Sequence, residues 1–424
     1  MSFVRHYDVI VVGGGPAGMM AAISAGKMKK KVLLLEKNKS LGIKLLLTGK
    51  GRCNISNACD LEVFLSKFSK NGSFLRDAFK AFFLPELKLF FGKNGLALKE
   101  ERQARIFPVT DSARSVLHVL EKELKKGAVH VSFGKRLKRL TVKENRVHNL
   151  ILHDQSTFSA QAYILATGGA SYPATGSDGS VLNAVKEYGH TIVPLRPGLV
   201  ALKTRETIPA RLEGLTLKNI QIKFMRKKRV YRSAVGELIF TDDGISGPLI
   251  ISWSRVLADW FDVMGDVPIE IDLKPGLSEQ QLEQRLLNVF HEYPKKQIKS
   301  SLATFLPKRF ILPFLEAIKV DPQKQVNQIT QLQRSEIIRS LKGFSLRLTG
   351  PRSMSSAMIT IGGVSLKQIN PRTMSSKLIK NLYFAGEMLD LDGDTGGYNL
   401  QAAFSTGFLA GRNAVQLCDS QISH

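Results

Sequence analysis

Apolar residues along the chain fall into two periods. Tyr7-Asp8-Val9-Ile10-Val11-Val12 is a short β-branched run with the length of a buried parallel strand. Gly13-Gly14-Gly15-Pro16-Ala17-Gly18 follows, and Met19, Met20 and Ile23 then recur at helical spacing. A second apolar run, Lys31-Val32-Leu33-Leu34-Leu35, ends on Glu36. The pattern predicts strand, glycine turn, helix, strand and acid within about thirty residues. From Asn71 to Lys126 the spacing is helical, with Phe74, Leu75, Phe79, Phe82, Phe83, Leu87, Phe90 and Phe91 as a core stripe. Val129-His130-Val131 and the run from Val147 to His153 bracket a hairpin-like region, with His130 and His153 as surface strand residues.

A strand from Tyr163 to Ala166 delivers Thr167-Gly168-Gly169, and a helix follows from Val181 to Tyr188. The composition shifts at Ile192 to Pro197, and short β-like runs dominate to about Leu273. Leu277 to Leu341 returns to helical periodicity through Leu282, Leu286, Leu287, Phe290, Ile311, Leu312 and Leu315. Strand-like segments resume at Leu346, and the last strand, Leu382-Tyr383-Phe384, precedes a helix to Ala414. The expected boundaries are 1–192 and 373–424 for a nucleotide-binding domain, 193–275 and 344–372 for a β-rich domain, and 276–343 for a helical insert. A chain of 424 residues is too long for one compact core.

The first unit carries the chemistry. Gly13 permits a tight turn, Gly15 lets a pyrophosphate approach backbone amides, and Gly18 lets the helix pack on the strand. Ala17 lies in the helix N-terminus that faces the phosphates, and Glu36 is placed to accept from ribose hydroxyls. The unit is a dinucleotide site, and the turn alone leaves NAD and FAD open. No second fingerprint of this kind occurs in the chain.

Composition narrows the setting. No apolar run approaches the ~20 residues of a membrane span, and glycines break the N-terminal run, so a soluble cytoplasmic protein is expected. Cys53, Cys59 and Cys418 form no CxxC pair or zinc pattern, which argues against a disulfide framework or a structural metal. The formal charge of +25 is the unusual number. It is the footprint of a polyanion partner, or else the background of a lineage with basic proteins. Arg226, Lys227, Lys228 and Arg229 surround Phe224 and Tyr231, so that cations stand beside stacking faces as single-stranded RNA contacts require. Lys295, Lys296, Lys308 and Arg309 give the helical insert a basic face; a solvated surface is the plain alternative in both places.

After Glu36 come Lys37 and then Lys44-Leu45-Leu46-Leu47-Thr48-Gly49-Lys50-Gly51-Arg52-Cys53-Asn54-Ile55-Ser56-Asn57. This stretch resembles the hallmark loop of the BaiN/YhiN-type bacterial FAD-dependent oxidoreductases, also described as aminoacetone-oxidase-like. Asp111-Ser112, Ala166-Thr167-Gly168-Gly169, Gly236 to Pro248, and Ala385-Gly386-Glu387 with Asp394 to Ala403 are similar to other stretches of that family. Where the family usually has histidine, this chain has Asp242. Asp111 or Ser112 as a helix N-cap, and Arg102 with Arg105 as an anion site, are equally open readings of their stretch.

The resemblance implies an α/β fold. It is a Rossmann-like two-dinucleotide-binding-domain flavoprotein, its FAD domain interrupted by a β-rich domain with a small helical subdomain. It implies FAD held by Lys37, Lys44, Gly51, Arg52, Asn54, Leu137, Thr167, Gly168, Gly386, Glu387, Asn399, Leu400 and Gln401, besides the first glycine turn. NAD(P)H is the expected transient reductant. Members have been connected with steroid-ring reduction, amine oxidation and dihydrouridine synthesis in large-subunit (23S) ribosomal RNA. The charge favours the RNA reading, with ribosomal RNA as partner. A small-molecule oxidoreductase acting on an amine or enone, and a flavin-bearing RNA-binding factor without turnover, are the alternatives. Cys53 is the candidate proton donor, Arg52 a positioning cation, and Tyr398 and Asp242 the reserves.

Overall fold

The computed structural model describes residues 5–420; residues 1–4 and 421–424, which the domain boundaries above include, lie outside it. The chain divides into two units, Met1–Pro197 with Ala357–His424, and Gly198–Ser356. The second crossing falls earlier than the sequence suggests. The strand Ile359–Val364 pairs with Ile192–Gly198 and so belongs to the first unit, not to the β-rich domain.

The first unit is built on β1 (Arg5–Val12), α1 (Pro16–Gly26), β2 (Val32–Leu35), β3 (His130–Ser132), β4 (Leu137–Lys143), β5 (Arg146–Leu152) and β6 (Thr157–Leu165). The sheet order is β3-β2-β1-β6-β5-β4, with Leu382–Phe384 also paired to β6. β2, β1, β6 and Leu382–Phe384 run parallel, which explains why their carboxyl-terminal halves, residues 9–12 of β1 and 162–165 of β6 among them, are apolar runs buried on both faces. The predicted hairpin forms from β4 and β5, while β3 joins β2 as a parallel edge. His130 and His153 are both exposed, as the sequence suggests.

Register places four sequence-remote stretches at one edge of this sheet. Leu35 pairs with Val12, Val12 with Leu165, and Leu165 with Phe384, so all four strands end together. Gly13, Glu36, Ala166 and Ala385 are therefore the first residues past the carboxyl ends of the strands, where open α/β sheets bind ligands. Helix α1 is buried on every side from Ala17 to Gly26, because the sheet, the C-terminal helix Tyr398–Ser420 and the helix Ala113–Lys126 all pack against it.

The second unit is a closed antiparallel barrel, a feature the β-like reading does not contain. Thr216–Arg226, Gly236–Thr241, Gly244–Ser246, Leu202–Thr204, Phe344–Pro351 and Val267–Asp272 pair in that order, and the last pairs back to the first. Arg229–Arg232 extends Thr216–Arg226 as a hairpin. The helical insert is present as expected, opened by a Ser278/Gln281 capping box and ended by a helix with a Thr330/Gln333 box. Phe310 of the insert packs on Phe240 and Phe344 with ring centres 5.7 and 5.1 Å apart, so insert and barrel share one core.

Candidate functional site

The glycine turn divides into positions the fold requires and one it leaves open. A Cβ on Gly13, at φ +107°, would lie 2.5 Å from the Ala166 carbonyl, and one on Gly18 would lie 1.8 Å from the Gly13 carbonyl. These glycines let β1, β6 and α1 approach one another. Nothing lies within 4 Å of a Cβ on Gly15, which is the N-cap of α1 and offers no side-chain acceptor. The first amides of α1 thus face an open space suited to an anion.

Glu36 is buried beside this turn, accepting from the Gly14 amide at 2.7 Å and the Asn38 amide at 2.8 Å. Each carboxylate oxygen keeps a second lone pair for a ribose hydroxyl. Lys135 and Gly134 donate their amides to the Glu36 and Asn38 carbonyls, so the segment leading into Leu137 runs along the acid. Lys37 does not stand free: its ammonium meets Asp178 at 2.7 Å. Burial alone raises the Asp178 carboxyl, but Lys37 and Ser180 bring it down to about 2.

Lys44 is drawn into a network that crosses the whole unit. Its ammonium donates to Ser171 at 2.5 Å and to Glu387 at 2.6 Å. Glu387 also accepts from the Thr360 amide at 2.6 Å and the Ser171 hydroxyl at 3.1 Å, while Thr360 Oγ1 accepts from the Ala170 and Ser171 amides. The Glu387 carboxylate is thus committed to protein partners, which fix the loop at Gly386 against the hallmark loop. Ser171 and Thr360 are not among the expected site residues; Ser171 stands two positions past the Ala166-Thr167-Gly168-Gly169 stretch, and Thr360 lies on the strand Ile359–Val364. Thr167 donates to Met388 Sδ, which leaves its backbone as the part facing the strand ends.

Among the described residues the buried polar atoms without a hydrogen-bond partner include Gln161 Oε1 and Thr241 Oγ1 and, beside the glycine turn's motifs, Asn54 Oδ1 in the hallmark loop and Ser177 Oγ, which sits 2.7 Å from where a Cβ of Gly168 would be. Orphaned polar atoms in folded proteins call for an explanation, and a ligand supplies one. With the open cradle at Gly15, they show that the motif residues fit a dinucleotide cofactor. FAD would be held by the α1 amides at its pyrophosphate and by Glu36 at its ribose. The C-terminal helix would take the pyrimidine end. Tyr398, Asn399 and Leu400 precede its first intrahelical bond, which Gln401 makes to the Gly397 carbonyl. The side chains of Asn399 and Gln401 are structural: Asn399 pins Gly393 and Asp394, and fully buried Gln401 binds Ser56 and Ser405.

The catalytic expectations change most. Cys53 is fully buried in the hydrophobic core, with its thiol pushed up to about 11 by burial against a weaker pull from Thr48. Its φ of +63°, in a loop where Gly49, Lys50 and Gly51 are also left-handed, turns the side chain inward, so the proton-donor reading of Cys53 does not hold. Arg52 lies over the Phe107 ring at 4.3 Å and is gripped by Glu101 and Asp111, which raise its affinity for its proton. It is a loop brace, with no cationic charge left uncompensated for a substrate. Asp111 serves that brace together with Lys99; the helix Ala113–Lys126 has Ser112 at its N-cap, and neither side chain caps it.

Tyr398 keeps its candidacy. It is 6% exposed, packed edge-on against Phe64 at 4.7 Å, with its hydroxyl 4.0 Å from Cys59 Sγ. Burial, then the neighbouring Cys59, raises the phenol well above its usual range; burial likewise raises the Cys59 thiol, which is half-buried. Cys59 is the residue the sequence reading passed over, for its flanks carry no motif.

In the barrel unit Asp242 is exposed and paired, with Asp243, to Arg352, which lowers the Asp242 carboxyl. Phe224 is fully buried and stacked on Trp253 at 4.3 Å, and Tyr231 is half-buried on Trp260, so neither is the stacking platform expected for RNA. Arg226 is drawn over Trp260 at 5.3 Å, whereas Lys227, Lys228, Arg229, Lys295, Lys296, Lys308 and Arg309 are exposed. Among the described residues no helix is long and apolar enough to cross a membrane, and no group of three metal-ligating side chains gathers.

Residues 7–413 match the HI0933-like protein Rossmann domain. The chain is 31% identical over 409 residues to a 3-dehydro-bile acid delta(4,6)-reductase of Clostridium scindens, covering 96% of this chain and 98% of the relative. It is 27% identical over 414 residues to a ribosomal RNA dihydrouridine synthase of Escherichia coli, covering 97% and 99%. A 3-ketosteroid-delta4-(5alpha)-dehydrogenase structure from Rhodococcus jostii aligns over 98% of each chain with a TM-score of 0.52 at 14% identity, a likeness of fold alone.

Proposed function

The chain belongs to the HI0933-like family of FAD-dependent oxidoreductases, and from that premise we propose that it reduces a uridine of large-subunit ribosomal RNA to dihydrouridine at the expense of NAD(P)H. The observation that carries this reading is the +25 charge, with exposed cations on the barrel hairpin and on the helical insert. Phosphates must be neutralised for an RNA to dock, whereas a sterol-like enone makes no such demand. The relative named ribosomal RNA dihydrouridine synthase spans essentially the same length. Reduction of an enone in a steroid-like acid is the second reading, favoured by the 31% identity to the bile acid reductase.

FAD, when bound, supplies the hydride chemistry that joins the nicotinamide to C6 of an unstacked pyrimidine. The chain's own share is to hold a proton for C5. Tyr398 and Cys59 stand side by side at the start of the C-terminal helix, and burial keeps both in their protonated, donating forms. Cys59 Sγ gives its proton to C5 and is reprotonated through the Tyr398 hydroxyl and solvent. NAD(P)H, a proton and uridine become NAD(P)+ and dihydrouridine.

Mass spectrometry of ribosomal RNA from cells with and without the gene tests the reading. A two-dalton loss at one uridine on deletion, restored by the wild-type gene, is the expected result; an unchanged RNA moves the enone reading to first place. For the proton donor, the Cys59→Ala, Tyr398→Phe double variant is expected to keep its rate of flavin reduction by NADPH. Its substrate-dependent reoxidation should fall about a hundredfold, the low end of general-acid effects. Undiminished reoxidation in stopped flow would remove both residues from the mechanism.

A further inference from the structure

The loop Tyr293-Pro294-Lys295-Lys296, which joins the insert helix Glu279–Glu292 to Ile298–Ser301, is the most open aromatic corner of the barrel unit. Tyr293 is 46% exposed, and the four residues bound an open depression of about 360 Å³. Lys296 Nζ lies 4.6 Å from the centre of the tyrosine ring, and Lys295 is exposed beside it. Glu292 beside it raises the tyrosine phenol, so the ring is the surface on offer rather than the phenol.

This corner is a built feature. The Val326 amide donates to the Lys296 carbonyl at 3.0 Å and the Asn327 amide to the Pro294 carbonyl at 3.1 Å. Lys299 and Lys324 of the same region are held by neutral side chains, those of Gln323 and Gln333. An exposed ring on a pinned loop, flanked by ammonium groups, has the chemistry of a single-stranded nucleic-acid contact, in which a base stacks on the ring and lysines meet the adjoining phosphates.

We propose that Tyr293, with Lys295 and Lys296, is the docking platform for a single-stranded segment of the RNA substrate, at a distance in sequence from every flavin motif. The inference rests on the RNA reading above. It moves the stacking role from Phe224, buried in the core, and Tyr231, packed on Trp260, to a ring that is exposed.

The test is fluorescence anisotropy of a labelled ten-nucleotide oligoribonucleotide titrated with the full-length holoenzyme at several salt concentrations. Tyr293→Ala is expected to weaken binding about tenfold, in the range of one lost base stack, while Tyr293→Phe binds as wild type. Lys295→Ala with Lys296→Ala should flatten the slope of log affinity against log salt by about 1.4, two single-strand phosphates at ~0.7 each. All variants should keep the wild-type melting temperature and rate of flavin reduction by NADPH. Wild-type affinity in Tyr293→Ala overturns the platform while leaving RNA as a substrate. Equal competition by duplex DNA of the same length also overturns it, because the bases there are already stacked. No binding by the wild-type enzyme removes platform and RNA substrate together. Tyr293-dependent binding combined with unchanged cellular ribosomal RNA keeps the platform and removes the ribosomal target.

Discussion

A Gly15→Val chain is expected to fold normally and to purify without flavin. Gly15 has φ −80° and ψ −178°, extended backbone that a β-branched residue adopts readily, and a Cβ there meets no atom within 4 Å. In the protein alone the substitution therefore costs no more than a weaker N-cap, about 1 kcal/mol at most. With cofactor the same methyl groups stand where the pyrophosphate must come to reach the first amides of α1. Affinity for FAD should drop at least about a hundredfold, or roughly 2.7 kcal/mol. Fluorescence titration of stripped protein with FAD reads the loss, and the melting temperature of the stripped protein reads the fold. Gly18→Val should behave in the opposite way, because its Cβ would lie 1.8 Å from the Gly13 carbonyl and the chain itself cannot accept it. A yellow Gly15→Val protein of normal affinity would show that the phosphates do not lie on this turn.

The contrast between these glycines shows what the sequence conveys. Strand, turn, helix and acid are local, and each residue type is there for a reason that acts within a few positions, so the first unit could be read in order. The barrel could not. Its closure rests on pairing between Thr216–Arg226 and Val267–Asp272, and an alternating strand looks the same in an open sheet as in a closed one. Phe224 is an instructive miss, because it alternates with Ile220 and Ile222 and therefore faces inward with them; the basic residues around it drew the reading away from period two.

Side-chain roles in the hallmark loop are hidden for a different reason. Lys44 and Glu387 are 343 positions apart, and Arg52 finds its acids 49 and 59 positions along the chain. Nothing local marks such partners. Cys53 has the chemistry of a proton donor, yet a left-handed backbone at that position decides that the thiol points to the core. Residue type was legible there, whereas direction was not.

The second large effect is expected at a residue outside the motifs, Gly407 on the C-terminal helix. That helix crosses α1 backbone to backbone: a Cβ on Gly407 would lie 2.2 Å from the Ala17 carbonyl, and one on Gly411 2.2 Å from the Ala21 carbonyl. Ser24 Oγ donates to the Phe408 carbonyl at 3.1 Å and ties the same crossing. Neither helix can yield locally, since the clashing atoms are carbonyls inside regular turns. Gly407→Ala should therefore destabilise the first unit by about 3 kcal/mol, the upper part of the range for overpacking, and lower its melting temperature by about 6–12 °C. The change also reaches the cofactor. α1 would present its amides to the pyrophosphate and the C-terminal helix its own to the pyrimidine end, so spreading the helices would misalign two contacts at once and should weaken FAD binding as well. Gly92→Ala is the control, for Gly92 is exposed in the helix Leu84–Lys93 with nothing within 4 Å of its Cβ, and alanine there should stabilise by about 0.5–1 kcal/mol. Differential scanning calorimetry of the two variants, with and without added FAD, separates the effects. If Gly407→Ala melted with Gly92→Ala and kept its flavin, the two helices would have to be further apart than their carbonyls indicate, and the alignment of their N-termini would need another cause.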